Sequence, residues 1–339
     1  MALVHFGWMY YREDGNDAAR RIVVKIPPGA TLHQVMDVLV DEGILNHPTL
    51  FRWAAYLSNK EGDIKAGRYL FRQGESVARV LNKLVQGEID YTRVVIPEGL
   101  MATEIAGLLM HEAEIDSATF MALVGDSAVV RGFGLGDVSS LEGYLFPDTY
   151  LFSWPLSTQD VIGRIVHRFK QVFTDTLRSL ADSVGLSDNG VVTLASIIQA
   201  EAVYDSEMPR ISSVYHNRLK SGWRLEADPT VAYAIGGVRR RLWYKDLRVD
   251  SPYNTYRVRG LPPGPICSPG RAALMAAVKP LAGCKDLYFV ADGTGRHYFS
   301  RTLMDHVRAK ESIRAGRRPA KPMDECKDET RESREVTGE

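Results

Sequence analysis

Three stretches in the first third of the chain share one layout: VVKIPPGATLHQVMDVL (23–39), YLFRQGESVARVLNKL (69–84) and RVVIPEGLMATEIAGLL (93–109). Ile26, Phe71 and Ile96 are each followed three residues later by a glycine, namely Gly29, Gly74 and Gly99. Six residues past each glycine comes Val35, Val80 or Ile105, and ten past comes Leu39, Leu84 or Leu109. Apolar residues at that four-residue step lie on one side of a helix. Each stretch therefore reads as a short strand (VVKI, YLF, RVVI), a glycine turn and a helix, and the three are expected to share one sheet. The competing reading is chance similarity, since glycine before a helix is common.

Outward from the repeat, the middle of the chain is mostly helical. Ser157 is placed to cap a helix through Ser183, with Val161, Ile162, Ile165 and Phe169 on its apolar face. Further helices are expected over 187–204 and 207–219. Between Gly236 and Gly270 the stretches SPYNTY (251–256) and GLPPGPICSPG (260–270) must form a loop with fixed turns, because proline lacks an amide and breaks helices. LYFVAD, GTG and HYFS read as a hairpin, followed by a helix over 302–314. From Gly316 the chain is highly charged and is expected to be disordered. The fold class is α+β.

At 339 residues the chain has room for about two domains. No window approaches the roughly 20 apolar residues that span a bilayer. Lys plus Arg and Asp plus Glu both number 42, which argues against a protein built to hold nucleic acid by counterion release. Cys267, Cys284 and Cys326 are too few and too scattered for a disulfide framework and contain no C-x-x-C. The eight histidines show no H-x-x-x-H or H-E-x-x-H spacing, so no metal and no cofactor is expected. The opening MALVHFGWMYY (1–11) is either a buried first strand or disordered leader, or the tail end of a membrane anchor.

The chemistry centres on VVTLASIIQAEAVY (191–204). With Leu194 at zero on a wheel of about 100° per residue, Ile197 falls near about −60°, Ile198 near about +40° and Glu201 near about −20°. Glu201 thus lies inside the apolar stripe, whereas Gln199, near about 140°, lies on the other side. Burial raises a carboxyl's pKa, as a general acid near neutral pH requires. The alternative is a buried glutamate held by an arginine such as Arg210 or Arg218.

LEGYLFPDTY (141–150) sets aromatics beside Glu142 and Asp148, as a sugar platform or as a core turn. Asn217, Arg218, Asp228, Asn254 and Tyr256 offer donors and acceptors near the proline-rich loop, although Asp228 before Pro229 also reads as a helix cap. RRRLWYK (239–245) is the only basic–aromatic cluster, suited to an anionic polymer or simply to a solvated loop. GLPPGPICSPG lacks the phosphate-loop pattern, and its prolines remove the amides a phosphate needs.

LEGYLFPDTY, LASIIQAEA, the NRL–DPT pair, SPYNTY, GLPPGPICSPG and YFVADGTGRHYFS occur in that order. Together they resemble the endolytic murein transglycosylase family (MltG or YceG-like), over about residues 20 to 315. The resemblance implies an α+β protein with four parts: a leader at 1–20, a remnant of a membrane anchor in one reading; a small LysM-like βα subdomain at 21–90; a largely helical catalytic domain with a Pro/Gly-rich loop at 91–315; and a charged tail at 316–339. It implies a lyase at the outer side of the cytoplasmic (inner) membrane, facing the periplasm and cell wall. Such an enzyme cuts peptidoglycan glycan strands between MurNAc and GlcNAc, leaves 1,6-anhydro-MurNAc ends, and terminates nascent strands beside cell-wall synthases. The family's catalytic glutamate carries over to Glu201. Some members have a second glutamate where this chain has Gln199. Glu142, Arg218, Asn254 and Tyr256 follow as candidates for substrate placement. A hydrolytic muramidase using Glu142 or Asp148 as a second carboxylate, and a non-catalytic peptidoglycan-binding scaffold, are the alternatives.

Overall fold

The computed structural model describes residues 10–11, 20–238, 240–319 and 326. The expectations for the leader at 1–20 and the tail at 316–339 fall almost wholly outside these residues. The chain divides into two compact units, one running to Val94 and including Thr149–Ser157, the other comprising Val95–Asp148 and the chain from Thr158 onward. The strands form separate two-stranded sheets within a largely helical chain rather than one large sheet, so the architecture is α+β. Among the described residues no helix is long and apolar enough to cross a membrane.

The first unit opens with β1 (Arg21–Ile26), α1 (Leu32–Asp41), α2 (Pro48–Leu57), β2 (Gly67–Arg72) and α3 (Val77–Gln86). β1 and β2 pair antiparallel, with Arg21 opposite Arg72 and Ile26 opposite Gly67. Alternation buries Val24 and Ile26 on one strand and Tyr69 and Phe71 on the other. They meet Val35, Leu39, Phe51, Val80, Leu81 and Leu84 in one core. The repeat's spacing therefore has the physical cause assigned to it. Its turns are built on left-handed glycines, Gly29 (φ 74°), Gly74 (φ 81°) and Gly99 (φ 79°). The helix that follows the first turn is capped by Thr31, whose hydroxyl accepts from Gln34 N (3.3 Å) while its own N–H donates to Gln34 Oε1 (2.8 Å).

The three strands do not share one sheet. The third, β3 (Thr92–Val95), pairs with β4 (Thr149–Phe152) instead. The chain leaving α3 crosses the outer edge of β2: Asp90 N donates to the Arg68 carbonyl (2.6 Å) and Ile89 packs on Gly67. That edge has no free register for a further strand.

The second unit carries α4 (Ala102–Ala113), α5 (Ser117–Val124), α6 (Ser127–Gly132), α7 (Thr158–Val172), α8 (Asp175–Val184), α9 (Asp188–Glu201), α10 (Met208–Lys220), α11 (Asp228–Ala234) and α12 (Arg271–Val278). The hairpin β5 (Tyr288–Ala291) and β6 (His297–Ser300) follows, then α13 (Leu303–Arg314). The single helix expected over 157–183 is broken. Phe169 and Phe173 stack in the core (5.3 Å), and Thr174 turns extended (ψ 169°) as the cap of α8. The core gathers α9 against α8, α10 and α12. Residues 251–270 form neither helix nor strand.

The cysteines, read as too scattered for a framework, supply one bridge: a disulfide joins Cys284 to Cys326, with Cα atoms 5.3 Å apart. Asp286 lies beside both sulfurs, and its carboxylate pairs with Arg210 (2.9 Å). Cys267 is buried and unbridged.

The turn geometry sets a stability test. Gly29 has a positive φ and nothing near its missing Cβ, so Gly29→Ala is expected to cost about 1–2 kcal/mol through backbone strain alone. Gly62→Ala, equally open and without a positive φ, is the control and should lie within about 0.5 kcal/mol of the parent in urea unfolding.

Candidate active site

The site is built on α9. Its residues from Val191 to Ile198 are all buried, so the helix has no solvent face along this run. The wheel's second face is polar but covered. Asn189, Ser196 and Gln199, at steps of seven and three, share that face, and each holds the proline-rich loop. Asn189 Nδ2 donates to the Pro263 carbonyl (3.2 Å), Ser196 Oγ accepts from Ile266 N (3.0 Å), and Gln199 Oε1 accepts from Gly270 N (2.9 Å). The loop also packs on LEGY, where Pro265 and Val192 of α9 both lie against Gly143 at a point that leaves no room for a side chain.

Glu201 is the last residue of α9, and Ala202 beyond it is already extended (ψ 133°). Its carboxyl is partly covered, and its hydrogen-bond partner among the described residues is Tyr215 of α10, whose hydroxyl donates to Oε1 (3.1 Å). Burial pushes the Glu201 carboxyl up to about 7, against the opposing bond from Tyr215, and the charge of Asp228 adds to the rise. The negative end of the α9 dipole acts in the same direction.

The two arginines that the sequence offered to Glu201 have other partners among the described residues. Arg210 pairs with Asp286. Arg218 Nε donates to the Leu287 carbonyl (2.7 Å), and its Nη1 reaches the Leu225 carbonyl (2.7 Å) and Glu226 (3.4 Å).

The other candidates fall in two places. Tyr256 donates its hydroxyl to Asp228 Oδ1 (2.6 Å), the charge of Asp228 acts on Glu201, and the charge of Glu201 acts on Tyr256, so these residues belong to one neighbourhood. Glu142, Arg218 and Asn254 are buried and tied to protein groups. Glu142 accepts from Ala102 N at the start of α4 (3.0 and 3.2 Å) and from Tyr233. Burial raises its carboxyl to about 7, and those bonds oppose the rise. Asn254 Nδ2 donates to the carbonyls of Leu247 (3.0 Å) and Val249 (2.8 Å), while its Oδ1 accepts from Tyr256 N (3.0 Å). Asn217 likewise donates to the Cys284 and Asp286 carbonyls. LEGYLF is a core turn, with Leu141, Tyr144, Leu145 and Phe146 all buried. Asp148 accepts from Arg168 Nε (2.6 Å).

Residues 24–312 match the sequence profile of the YceG-like family. The chain belongs to this family. It is 32% identical over 310 residues to an endolytic murein transglycosylase of Bacillus subtilis (strain 168), covering 87% of this chain and 85% of that protein. It is 27% identical over 340 residues to a protein of the same name from Streptococcus pneumoniae serotype 2 (strain D39 / NCTC 7466), covering 90% of this chain and 61% of that one. The crystal structure of a yceG-like protein from Listeria monocytogenes superposes with a TM-score of 0.60 at 31% identity, covering 86% of this chain and 99% of that one.

Within this YceG-like chain, a group beside Glu201 and another beside Gln199 went unread in the sequence. Tyr215 stands one residue before HNRL on α10, and only the packing of α9 against α10 makes it a partner of Glu201. Glu98 lies in the third repeat's turn, bonded to Gln199 and packed against Gly270. Burial raises its carboxyl, with Asp205 adding to the rise. That turn is docked on the loop by two reciprocal bonds, Gly99 N to the Ser268 carbonyl and Ser268 N to the Leu100 carbonyl (both 2.8 Å).

The electrostatics are testable without turnover. A carboxyl titration followed by NMR should show Glu201 with a midpoint near 7, identified by its disappearance in Glu201→Gln. Tyr215→Phe removes a bond that stabilises the carboxylate and should move the midpoint up. Asp228→Asn removes a like charge and should move it down. Shifts of the same sign in both variants would contradict the assignment.

Proposed function

We propose that this YceG-like protein is an endolytic murein transglycosylase that cleaves the bond between MurNAc and GlcNAc within glycan strands, with Glu201 as its acid and base. The observation that carries this reading is one half-buried carboxyl at the C-terminal end of α9 that accepts from the Tyr215 hydroxyl, with burial raising its proton affinity. The names of the relatives from Bacillus subtilis and Streptococcus pneumoniae support it.

Protonated Glu201 donates to the glycosidic oxygen as the bond to C1 of MurNAc breaks and positive charge develops on the ring. The C6 hydroxyl of the same sugar attacks C1, and its proton returns to the Glu201 carboxylate. A 1,6-anhydro end forms and no water is consumed. Tyr215 steadies the carboxylate through its hydroxyl, and the charge of Asp228 favours the proton on Glu201 before the step. Asp228 and Tyr256 are the groups placed to face the sugar. Glu142, Arg218 and Asn254 act as positioning residues that fix the turn, the α10 register and the loop beneath Tyr256. A muramidase would need a second carboxylate free to activate water, and Glu142 and Asp148 are engaged by Ala102 N and Arg168.

The antiparallel β1–β2 pair flanked by α1 and α2 supports a LysM-like reading of residues 21–90, with residues 91–315 as the catalytic part. The Cys284–Cys326 disulfide supports an oxidising compartment, as on the outer side of the inner membrane beside cell-wall synthases.

Digestion of peptidoglycan followed by mass analysis tests the reaction. Products should end in 1,6-anhydro-MurNAc, lighter by one water than hydrolysed ends, and Glu201→Gln should lower kcat by at least about 1,000-fold with little change in unfolding midpoint. Because Glu201 must begin protonated, kcat/KM should fall on the alkaline side with a midpoint near 7. Hydrated ends, or full activity in the glutamine variant, would overturn the assignment.

A further inference from the structure

The basic–aromatic stretch has no part in the mechanism above, yet it is built rather than loose. Asp246, only 9% exposed, accepts from Arg240 Nη1 (2.7 Å) and Nη2 (3.2 Å) and from Trp243 N (2.8 Å). One buried carboxylate thus closes the loop on itself. Asn254 then takes the Leu247 and Val249 carbonyls and pins the loop's foot. With the foot fixed, the tip displays Trp243 at 65% and Tyr244 at 87% exposure, flanked by the exposed side chains of Arg241 and Lys245.

Exposed aromatic residues on a braced loop are costly to hydration and suit a ligand with flat faces. The charge is equally uneven. Between residues 240 and 259 stand six cations against two acids, in a chain whose total charge is zero. The loop's foot also leads to the reactive carboxyl. Asn254 Oδ1 accepts from Tyr256 N, the Tyr256 hydroxyl donates to Asp228, and the charge of Asp228 acts on Glu201.

We propose that residues 240–249 form a subsite for the stem peptides of the glycan strand, in which Arg241 and Lys245 bind peptide carboxylates while Trp243 and Tyr244 stack on the adjoining sugar. This rests on the transglycosylase reading, because the ligand is the strand seated at Glu201. The sugars are neutral, so the cations select the carboxylates that hang from alternate rings. A lipid surface fits less well, since Leu242 and Leu247 are half-buried and the tip has no aliphatic wedge. The consequence is a preference for strands that still carry their peptides.

Cosedimentation with insoluble strands reads this without chemistry, using the full chain carrying Glu201→Gln. Binding to peptide-bearing strands should exceed binding to the same strands with their peptide carboxylates chemically amidated by about tenfold, the worth of two exposed charge pairs. Adding R241E and K245E should bring the ratio to about one. Adding W243A and Y244A should weaken binding to both kinds of strand. Asp246→Ala, which keeps every cation but releases the loop, should also lower the ratio. Should the charge-reversed protein not fold, the ratio for Glu201→Gln alone must shrink as salt rises from about 0.05 M to about 0.5 M. Equal binding to both strands, a preference that survives charge reversal or salt, or charge reversal that affects only anionic phospholipid vesicles, would overturn the proposal. Failure of the reaction itself shows separately, as an absence of anhydro ends from the unsubstituted protein.

Discussion

A helix buried all round along most of its length needs partners for the polar side chains it carries. α9 commits Asn189, Ser196 and Gln199 to the proline-rich loop, while the buried Thr193 hydroxyl has no hydrogen-bond partner among the described residues. The loop is thereby laid along the helix in one register, and LEGY and the third repeat's turn also pack on it. Glu201 ends this helix half-buried, at the point where the helical hydrogen bonding stops. Its raised proton affinity follows from that location more than from any single neighbour, since the hydrogen bond from Tyr215 opposes the rise.

The same economy governs α10. His216 donates to the Ala277 carbonyl (2.8 Å), Asn217 to the Cys284 and Asp286 carbonyls, and Arg218 to Leu287 and Leu225. Three consecutive side chains, each turned by about 100° from the last, grip three separate stretches of backbone. Residues of catalytic type are used as fasteners, because a buried carbonyl without a donor costs as much as a lost hydrogen bond. Tyr215, immediately before them, is held by the same framework at the distance Glu201 requires.

How much of this could be read from the sequence depended on how local the cause was. Strand, turn and helix in each repeat follow from spacing and from a glycine that must take positive φ, so the units were legible. Which strand pairs with which was not, because the choice turns on Asp90 and Ile89 closing the edge of β2. The wheel set Glu201 and Gln199 on opposite faces, but it could not show that the second face is covered by a loop some 70 residues later in the chain. Arg218 and Asn254 have the donors of a binding site. Only tertiary packing shows those donors spent on carbonyls, and only it brings Tyr215 and Glu98 beside residues of α9.

The four prolines of GLPPGPICSPG, at 262, 263, 265 and 269, restrict the unfolded chain as well as the folded one. A segment with few accessible backbone states loses little conformational entropy when it is laid against α9. The same prolines remove four amides that burial would otherwise have to satisfy. The loop beside α9 can therefore be stiff with only a few anchoring bonds, and whatever give a long polymer requires must come from segments richer in conformational freedom.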